Sequence, residues 1–157
     1  MRIQSVVNSI IQATKARGIL LNPLKVNYLA YLVASRYMSQ TGHPLLDRPY
    51  IASKFGPKID PLNAILQQQK ENGETEVGFV RDQDGKVSIV QHSNTDFYKV
   101  LDFILDRFGR QTGPALAALC MQNGTPWEQT RLEHEIDSRA MARWLDNYMT
   151  RQLQQNN

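Results

Sequence analysis

The side chains best able to do chemistry in this sequence are three histidines, one cysteine and a short charged run. His43 lies in a segment rich in Gly and Pro, His92 follows a predicted turn region, and His134 stands between Glu133 and Glu135. No histidine lies near a second histidine or the cysteine at the spacing of a zinc site. We therefore expect no metal site.

The run Glu133-His134-Glu135 is the one cluster that could act as a general acid and base. Carboxylates beside an imidazole can exchange protons near neutral pH, but a charged helix surface supplies the same residue types. The chain has no Gly-rich phosphate loop, no nucleophile elbow and no dinucleotide-binding fingerprint. We therefore predict a binding protein without catalytic residues, and not an enzyme.

Basic residues near the N-terminus offer a different chemistry, the binding of an acidic partner. Residues 1–60 contain eight Lys and Arg against two Asp, a formal charge of +6, whereas residues 61–137 carry a formal charge of −5. Positive charge attracts nucleic acids and acidic protein surfaces alike. Lysines scattered over solvated faces would give the same counts, so the charge leaves the partner open.

Four basic residues are the candidate partner-binding residues: Lys25, Arg36, Lys54 and Lys58. Lys25 and Arg36 are eleven residues apart, so on a helix they return to nearly the same angle, about 16 Å apart. We expect them to emerge together from an otherwise apolar helix, with Lys54 and Lys58 in the loop that follows. The alternative is that all four are simply solvated.

The aromatic residues allow two interpretations. Tyr28, Tyr31 and Tyr37 could form a base-stacking patch beside the basic residues, but their helix is apolar on both sides, which favours core packing. Trp127 could be an exposed binding anchor. A tryptophan beside a helix start more often packs against the core, and we predict that position for Trp127.

Helices are the elements that must position these residues. Asn22 before Pro23, and Asn94 or Thr95, are typical helix caps, and Thr125-Pro-Trp-Glu128 is a capping box. Apolar spacing and such caps predict helices that begin near residues 3, 23, 61, 95, 112, 126 and 138. Asp60 is the predicted cap of the third.

The only β element that the sequence predicts with a turn signal is a hairpin over Val77–Val90, around Asp84-Gly85. Gly and Pro between Thr41 and Pro57 indicate a connecting loop with short elements. We therefore predict a mainly α (α+β) fold: one compact domain over residues 1–157, with six or seven helices and one small β-hairpin.

The cellular compartment is predicted from the cysteine and the N-terminus. Cys120 has no partner for an internal disulfide and lies in an apolar run, which fits a reducing compartment. The N-terminus opens an amphipathic pattern and not a signal peptide, and no stretch of about 18 apolar residues could span a bilayer. We expect a soluble, cytoplasmic protein with no membrane partner.

Four motifs in order resemble the SocA-like Panacea domain family. They are Leu21-Asn-Pro-Leu-Lys-Val-Asn-Tyr-Leu-Ala-Tyr31, Thr41-Gly-His-Pro-Leu-Leu46, Ala52-Ser-Lys-Phe-Gly-Pro57 and Gly124-Thr-Pro-Trp-Glu128. Their order matches the family's Pro-Leu-Lys helix start, Thr-Gly-x-Pro-Leu loop, Ala-Trp-x-Tyr-Gly-Pro-Val segment and Pro-Trp element. The chain departs from this pattern at Asn27-Tyr28, where the family tends to carry Gln-Lys, and at Ser53, Lys58 and Asn63, where the family has Trp, Val and Tyr.

The resemblance implies an antitoxin-like protein that binds and neutralises a toxin in a bacterial or phage toxin-antitoxin pair, without a cofactor. One branch of the family is similar to an adaptor that delivers the toxin to a protease, which is an alternative function. A small nucleic-acid-binding regulator is another, with the turn from Arg81 to Lys86 as a wing. Asp82 and Asp84 argue against that wing, because they would repel phosphate.

Overall fold

Seven helices and one short antiparallel hairpin make up residues 1–155, the part of the chain that the computed structural model describes. The helices are α1 (Ile3–Ala16), α2 (Pro23–Thr41), α3 (Leu62–Glu71), α4 (Thr95–Phe108), α5 (Gly113–Cys120), α6 (Pro126–Gln129) and α7 (Ser138–Gln155), and the strands are β1 (Ile51–Ser53) and β2 (Gly56–Lys58). The strands pair with Ala52 opposite Pro57. The predicted fold class, mainly helical with one small hairpin, is confirmed.

Helix α2 lies at the centre of this fold and packs against α1, α3, α4, α5 and α7. From Lys25 to Ser35 every residue except Asn27 is buried. Its N-terminus is capped as the sequence predicts, because the Asn22 side chain accepts a hydrogen bond from the Lys25 amide. Gly42, with a left-handed φ of +74°, ends the helix. This burial explains why α2 is apolar nearly all round.

Side-chain caps also start α4, α5 and α6. Asn94, Thr112 and Thr125 each accept a hydrogen bond from the backbone amide three residues further on. These three helix starts confirm the sequence prediction. Tyr28 and Tyr31 are both buried in the core, as predicted from the apolar faces of their helix.

The predicted cap of α3 is wrong. The helix begins at Leu62, after Pro61, and no side chain caps it. The Asn63 amide donates instead to the backbone carbonyl of Ile59 at 3.0 Å. The Ile59 carbonyl therefore accepts a hydrogen bond at the start of α3, where the sequence predicts the Asp60 carboxylate as the acceptor.

The predicted hairpin over Val77–Val90 is also wrong, although its turn forms. The Asp82 amide donates to the Lys86 carbonyl at 2.9 Å, and Gly85 has a φ of +78°. No strand is assigned to either leg of this segment. The only hairpin with assigned strands in residues 1–155 is β1–β2, in the region predicted as a connecting loop.

The side chain of Asn8, on α1, explains why the two legs form no ladder. Its Nδ2 donates to the carbonyls of Val80 and Ser88 at 2.8 and 2.9 Å, and its Oδ1 accepts from the Val80 amide at 2.7 Å. Asn8 is fully buried between the legs. It takes up hydrogen-bonding groups that a strand partner would otherwise satisfy.

No helix within residues 1–155 combines the length and the apolar character that crossing a membrane would require.

We predict that Asn8→Ala lowers the free energy of unfolding by about 2 to 4 kcal/mol, because it leaves the buried backbone groups of Val80 and the partly buried carbonyl of Ser88 without partners. Chemical denaturation measures this loss. Gln12→Ala, on the exposed side of the same helix, is the matched control and should stay within about 0.5 kcal/mol of the parent. Equal effects of the two variants would contradict the role given to Asn8.

Candidate protein-binding surface

The structure places the four predicted partner-binding residues in three different environments. Lys25 is only 7% exposed, and the side chain of Arg36 is 20% exposed. Lys54 is exposed at the β1–β2 turn, and Lys58 is half-buried on β2. The expected open strip that joins Lys25 and Arg36 is wrong, because the helices packed against α2 cover that side.

Lys25 is the least exposed of the four candidate partner-binding residues. Burial lowers the pKa of its ammonium group, and the positive charge of Arg110 lowers it further. No carboxylate oxygen within residues 1–155 lies within 4.0 Å of the Lys25 ammonium nitrogen. Lys25 therefore does not belong to an exposed basic surface.

Lys54 and Lys58 belong to the β1–β2 hairpin, whose backbone carbonyls contact side chains of α2. The hydroxyl of Tyr28 lies 3.4 Å from two acceptors, the Phe55 carbonyl and the Met121 Sδ atom. The side chain of Asn27 donates from Nδ2 to the Pro57 carbonyl at 3.3 Å. Both donors are on the first turns of α2. The hairpin backbone is thus attached directly to the central helix.

Gly56 makes this close approach possible. Its φ of +123° is one that side-chain-bearing residues rarely adopt, and a Cβ atom there would lie 2.5 Å from the Tyr28 hydroxyl oxygen. Across the turn, the Ser53 hydroxyl donates to the Gly56 carbonyl at 2.6 Å. Glycine is therefore required both by the backbone conformation and by the space above α2.

Trp127, on α6, supports the other side of the hairpin. It is partly buried and packs against the core, which confirms the predicted packing, and its Nε1 donates to the Ser53 carbonyl at 2.8 Å. Thr125 and Pro126 start the short helix that carries it. The Pro-Trp motif and the Ala52–Pro57 motif are therefore adjacent in the fold.

The run Glu133-His134-Glu135 also contacts the hairpin, through its backbone. The Ala52 amide donates to the His134 carbonyl at 3.0 Å, and the Glu133 amide donates to the Ala52 carbonyl at 2.7 Å. All three side chains are exposed, and the Glu133 carboxylate lies 3.1 Å from the Lys58 ammonium. The residues predicted as a weak acid–base candidate thus brace β1 through their backbone.

Phe55 is the functional candidate that the sequence analysis missed. It stands at the tip of the braced hairpin and is 83% exposed. The neighbouring Lys54 ammonium lies 5.8 Å from its ring centroid. A large aromatic side chain held in solvent by a fixed backbone is typical of a binding anchor. The available signal was an aromatic residue directly before Gly56-Pro57.

A shallow groove of about 180 Å³ runs beside Phe55 towards the first turn of α2 and the exposed side of α3. Its apolar wall includes Leu24, which is 44% exposed, and its basic residues are Lys58 and Lys70. No acidic residue lines it. We define the hairpin surface as the residues Leu24, Lys54, Phe55, Lys58 and Lys70.

Neither Cys120 nor a cluster of metal-binding side chains forms part of the hairpin surface within residues 1–155. Cys120 is fully buried, and burial raises the pKa of its thiol, which keeps it protonated and poorly nucleophilic. Over residues 1–155, no cluster of three or more His, Cys, Asp or Glu side chains is placed to hold a metal ion.

Comparison with models of protein families, with curated proteins and with solved structures finds no significant match. The resemblance to the SocA-like Panacea domain family rests on the four motifs alone, three of which meet around α2, the hairpin and α6.

We predict that Trp127→Phe lowers the free energy of unfolding by about 1 kcal/mol more than Trp144→Phe does, because only Trp127 donates a hydrogen bond from its indole within residues 1–155. Both tryptophans are partly buried against the core, so the loss of ring area is similar. Thermal and chemical denaturation give the comparison. An equal cost for both variants would show that the bond to Ser53 does not stabilise the hairpin.

Proposed function

We propose that this protein is antitoxin-like and neutralises a cognate toxin by direct protein–protein contact through the hairpin surface. The observation that carries the proposal is the exposed Phe55, on a hairpin whose backbone is hydrogen-bonded to side chains of α2 and α6. The motif resemblance supports the antitoxin role, and Phe55 lies inside the third motif, Ala52–Pro57.

A binding loop that is ordered before it meets its partner binds at a lower entropic cost. A flexible loop loses conformational freedom when it binds, and this loss offsets part of the affinity. Here the carbonyls of Ser53, Phe55 and Pro57 are already hydrogen-bonded to side chains of α2 and α6. Inserting Phe55 into a partner's pocket would therefore cost little additional backbone order, which favours a hot-spot role.

The charges around Phe55 indicate the chemistry of the partner. Lys54 and Lys70 are exposed, and Lys58 is half-buried beside Glu133. An apolar centre with a basic rim is complementary to an apolar pocket bordered by Asp and Glu. The rim lysines would mainly speed association, and Phe55 would mainly slow dissociation.

This proposal keeps two of the four predicted partner-binding residues, Lys54 and Lys58. Lys25 is buried, and Arg36 lines a different pocket, so neither contributes to the hairpin surface. Reversing all four charges together would disturb buried groups as well as the surface. The surface is therefore tested with Phe55 and the exposed lysines alone.

We predict that Phe55→Ser weakens binding to the partner by about 30-fold or more, because hot-spot truncations typically cost about 2 kcal/mol or more. The candidate partner is the product of the adjacent open reading frame, tested by rescue of growth on coexpression and by binding of the purified proteins. Phe79→Ser is the matched control, since Phe79 is also partly exposed, against Lys15 on α1.

Both phenylalanine variants should fold and melt close to the parent protein. Loss of rescue by Phe55→Ser alone would support the hairpin surface. Full rescue by Phe55→Ser, or equal loss with Phe79→Ser, would contradict it. Inhibition of the purified toxin in the absence of any protease separates direct neutralisation from delivery, since an adaptor needs the protease to act.

We predict that the double variant Lys54→Glu, Lys70→Glu slows association about tenfold at low salt and much less at high salt, because rim charges act mainly through long-range steering. Stopped-flow mixing at two ionic strengths measures this. Arg139→Glu with Arg143→Glu, at exposed positions on α7, is the matched charge control. A salt-independent loss would assign the lysines another role.

A further inference from the structure

Arg36 lies in a separate pocket between α2, α4 and α7, where it and a second arginine contact the same phenylalanine ring. The Cζ atom of Arg36 is 3.7 Å from the centroid of the Phe103 ring, and that of Arg107 is 3.8 Å from the same centroid. Both guanidinium groups therefore stack on the Phe103 ring. Stacking uses their flat sides and leaves the N–H edges free to bind.

The charge of Arg36 is poorly compensated within the protein. Within residues 1–155 the one carboxylate that pairs with Arg36 is Asp146, whose Oδ1 lies 3.8 Å from Nη1, beyond hydrogen-bond distance. Both oxygens of Asp146 already accept the Ser39 hydroxyl, at 2.7 and 2.8 Å. Arg107 has no ion pair in the same range of residues. Two cations thus face one carboxylate that is engaged elsewhere.

The environment also disfavours the charge on Arg36. Burial lowers the pKa of its guanidinium, Asp146 raises it, and the neighbouring charge of Arg107 lowers it again. A bound anion would offset both the desolvation and the repulsion between the cations.

The cavity in front of the arginines has the size of a small-molecule site. Its volume is about 650 Å³, within the range of about 300 to 1,000 Å³ that is usual for ligand pockets. Beside the two arginines its wall carries the amides of Gln40 and Gln111. The apolar part of the wall includes Phe108, Met149 and Leu153, and the carboxylate of Asp146 also lines the pocket.

We propose that this pocket binds a small organic anion, whose carboxylate or phosphate group accepts hydrogen bonds from Arg36 and Arg107. The apolar part of the ligand would lie against Phe108, Met149 and Leu153. Guanidinium groups match the geometry of both oxyanions, and the apolar wall selects an anion with a hydrophobic body over a bare inorganic ion. The site shares no residue with the hairpin surface and does not depend on the proposed function.

The probes are phenyl phosphate and benzoate, which present the two oxyanions on one apolar ring, and benzamide as the uncharged analogue. They are titrated at constant ionic strength into isotopically labelled protein, and the arginine Nε–H resonances are followed by NMR. We expect the Arg36 and Arg107 resonances to shift with at least one anion and not with benzamide. The stronger of the two anions identifies the preferred oxyanion.

Three variants separate binding from a merely structural effect. Arg107→Gln, at an exposed position, should weaken the anion at least about tenfold, because it removes a hydrogen bond between charged groups. Asp146→Asn should strengthen the anion, because it removes the competing carboxylate. Arg143→Gln, exposed on α7 and outside the pocket, should leave affinity unchanged. Melting temperatures verify that all three fold.

The proposal is overturned if neither anion shifts the two arginine resonances, or if benzamide binds as well as benzoate. It is also overturned if Asp146→Asn weakens the anion, or if Arg143→Gln weakens it as much as Arg107→Gln. Binding of an acidic peptide to the pocket without binding of either small anion would likewise refute it and assign the pocket to a protein partner.

Discussion

The burial of α2 is the constraint on which the other features of this structure depend. A helix that is packed on nearly every side is stabilised when its polar side chains find partners within the protein, because unpaired buried polar groups are costly. Tyr28 and Asn27 therefore bind the hairpin backbone, and Ser39 binds Asp146 on α7. The polar residues of α2 thus serve as the attachment points of the surrounding elements.

This constraint separates two surfaces that the amino-acid sequence suggests as one. At the N-terminal end of α2 the attached element is the hairpin, which presents Phe55 to solvent. Towards the C-terminal end, α4 and α7 close over Arg36 and leave a pocket with two arginines on one phenylalanine. The first surface suits a protein partner, and the second suits a small anion. Each can be altered by variants that leave the other intact.

The helices could be predicted well because their signals are local. A cap such as Asn22, Asn94 or Thr112 acts on an amide three residues away, and apolar spacing reports the buried face of the same segment. Even the angular relation of Lys25 and Arg36 follows from helix geometry. Their exposure does not, because it depends on which other helices cover that side of α2.

The hairpins could not be predicted because their hydrogen bonds come from distant residues. Strands β1 and β2 have three residues each, with Gly56 and Pro57 in one of them, so no alternating pattern is available. Their support comes from Trp127, 74 residues away from its acceptor Ser53. In Val77–Val90 the pattern is typical of strands, but Asn8, 72 residues before Val80, occupies the space between the legs. A local pattern carries no information about either contact.

We propose that the partner is bound by a hairpin that is already ordered in the free protein. Amide hydrogen exchange, followed by mass spectrometry with and without the product of the adjacent open reading frame, tests it directly. The account predicts slow exchange for residues 51–58 in the free protein, because β1 is paired on both sides, and a further slowing in the complex. Fast exchange of residues 51–58 in the free protein, or protection in the complex that leaves residues 51–58 unchanged and falls on residues 77–90, would contradict it.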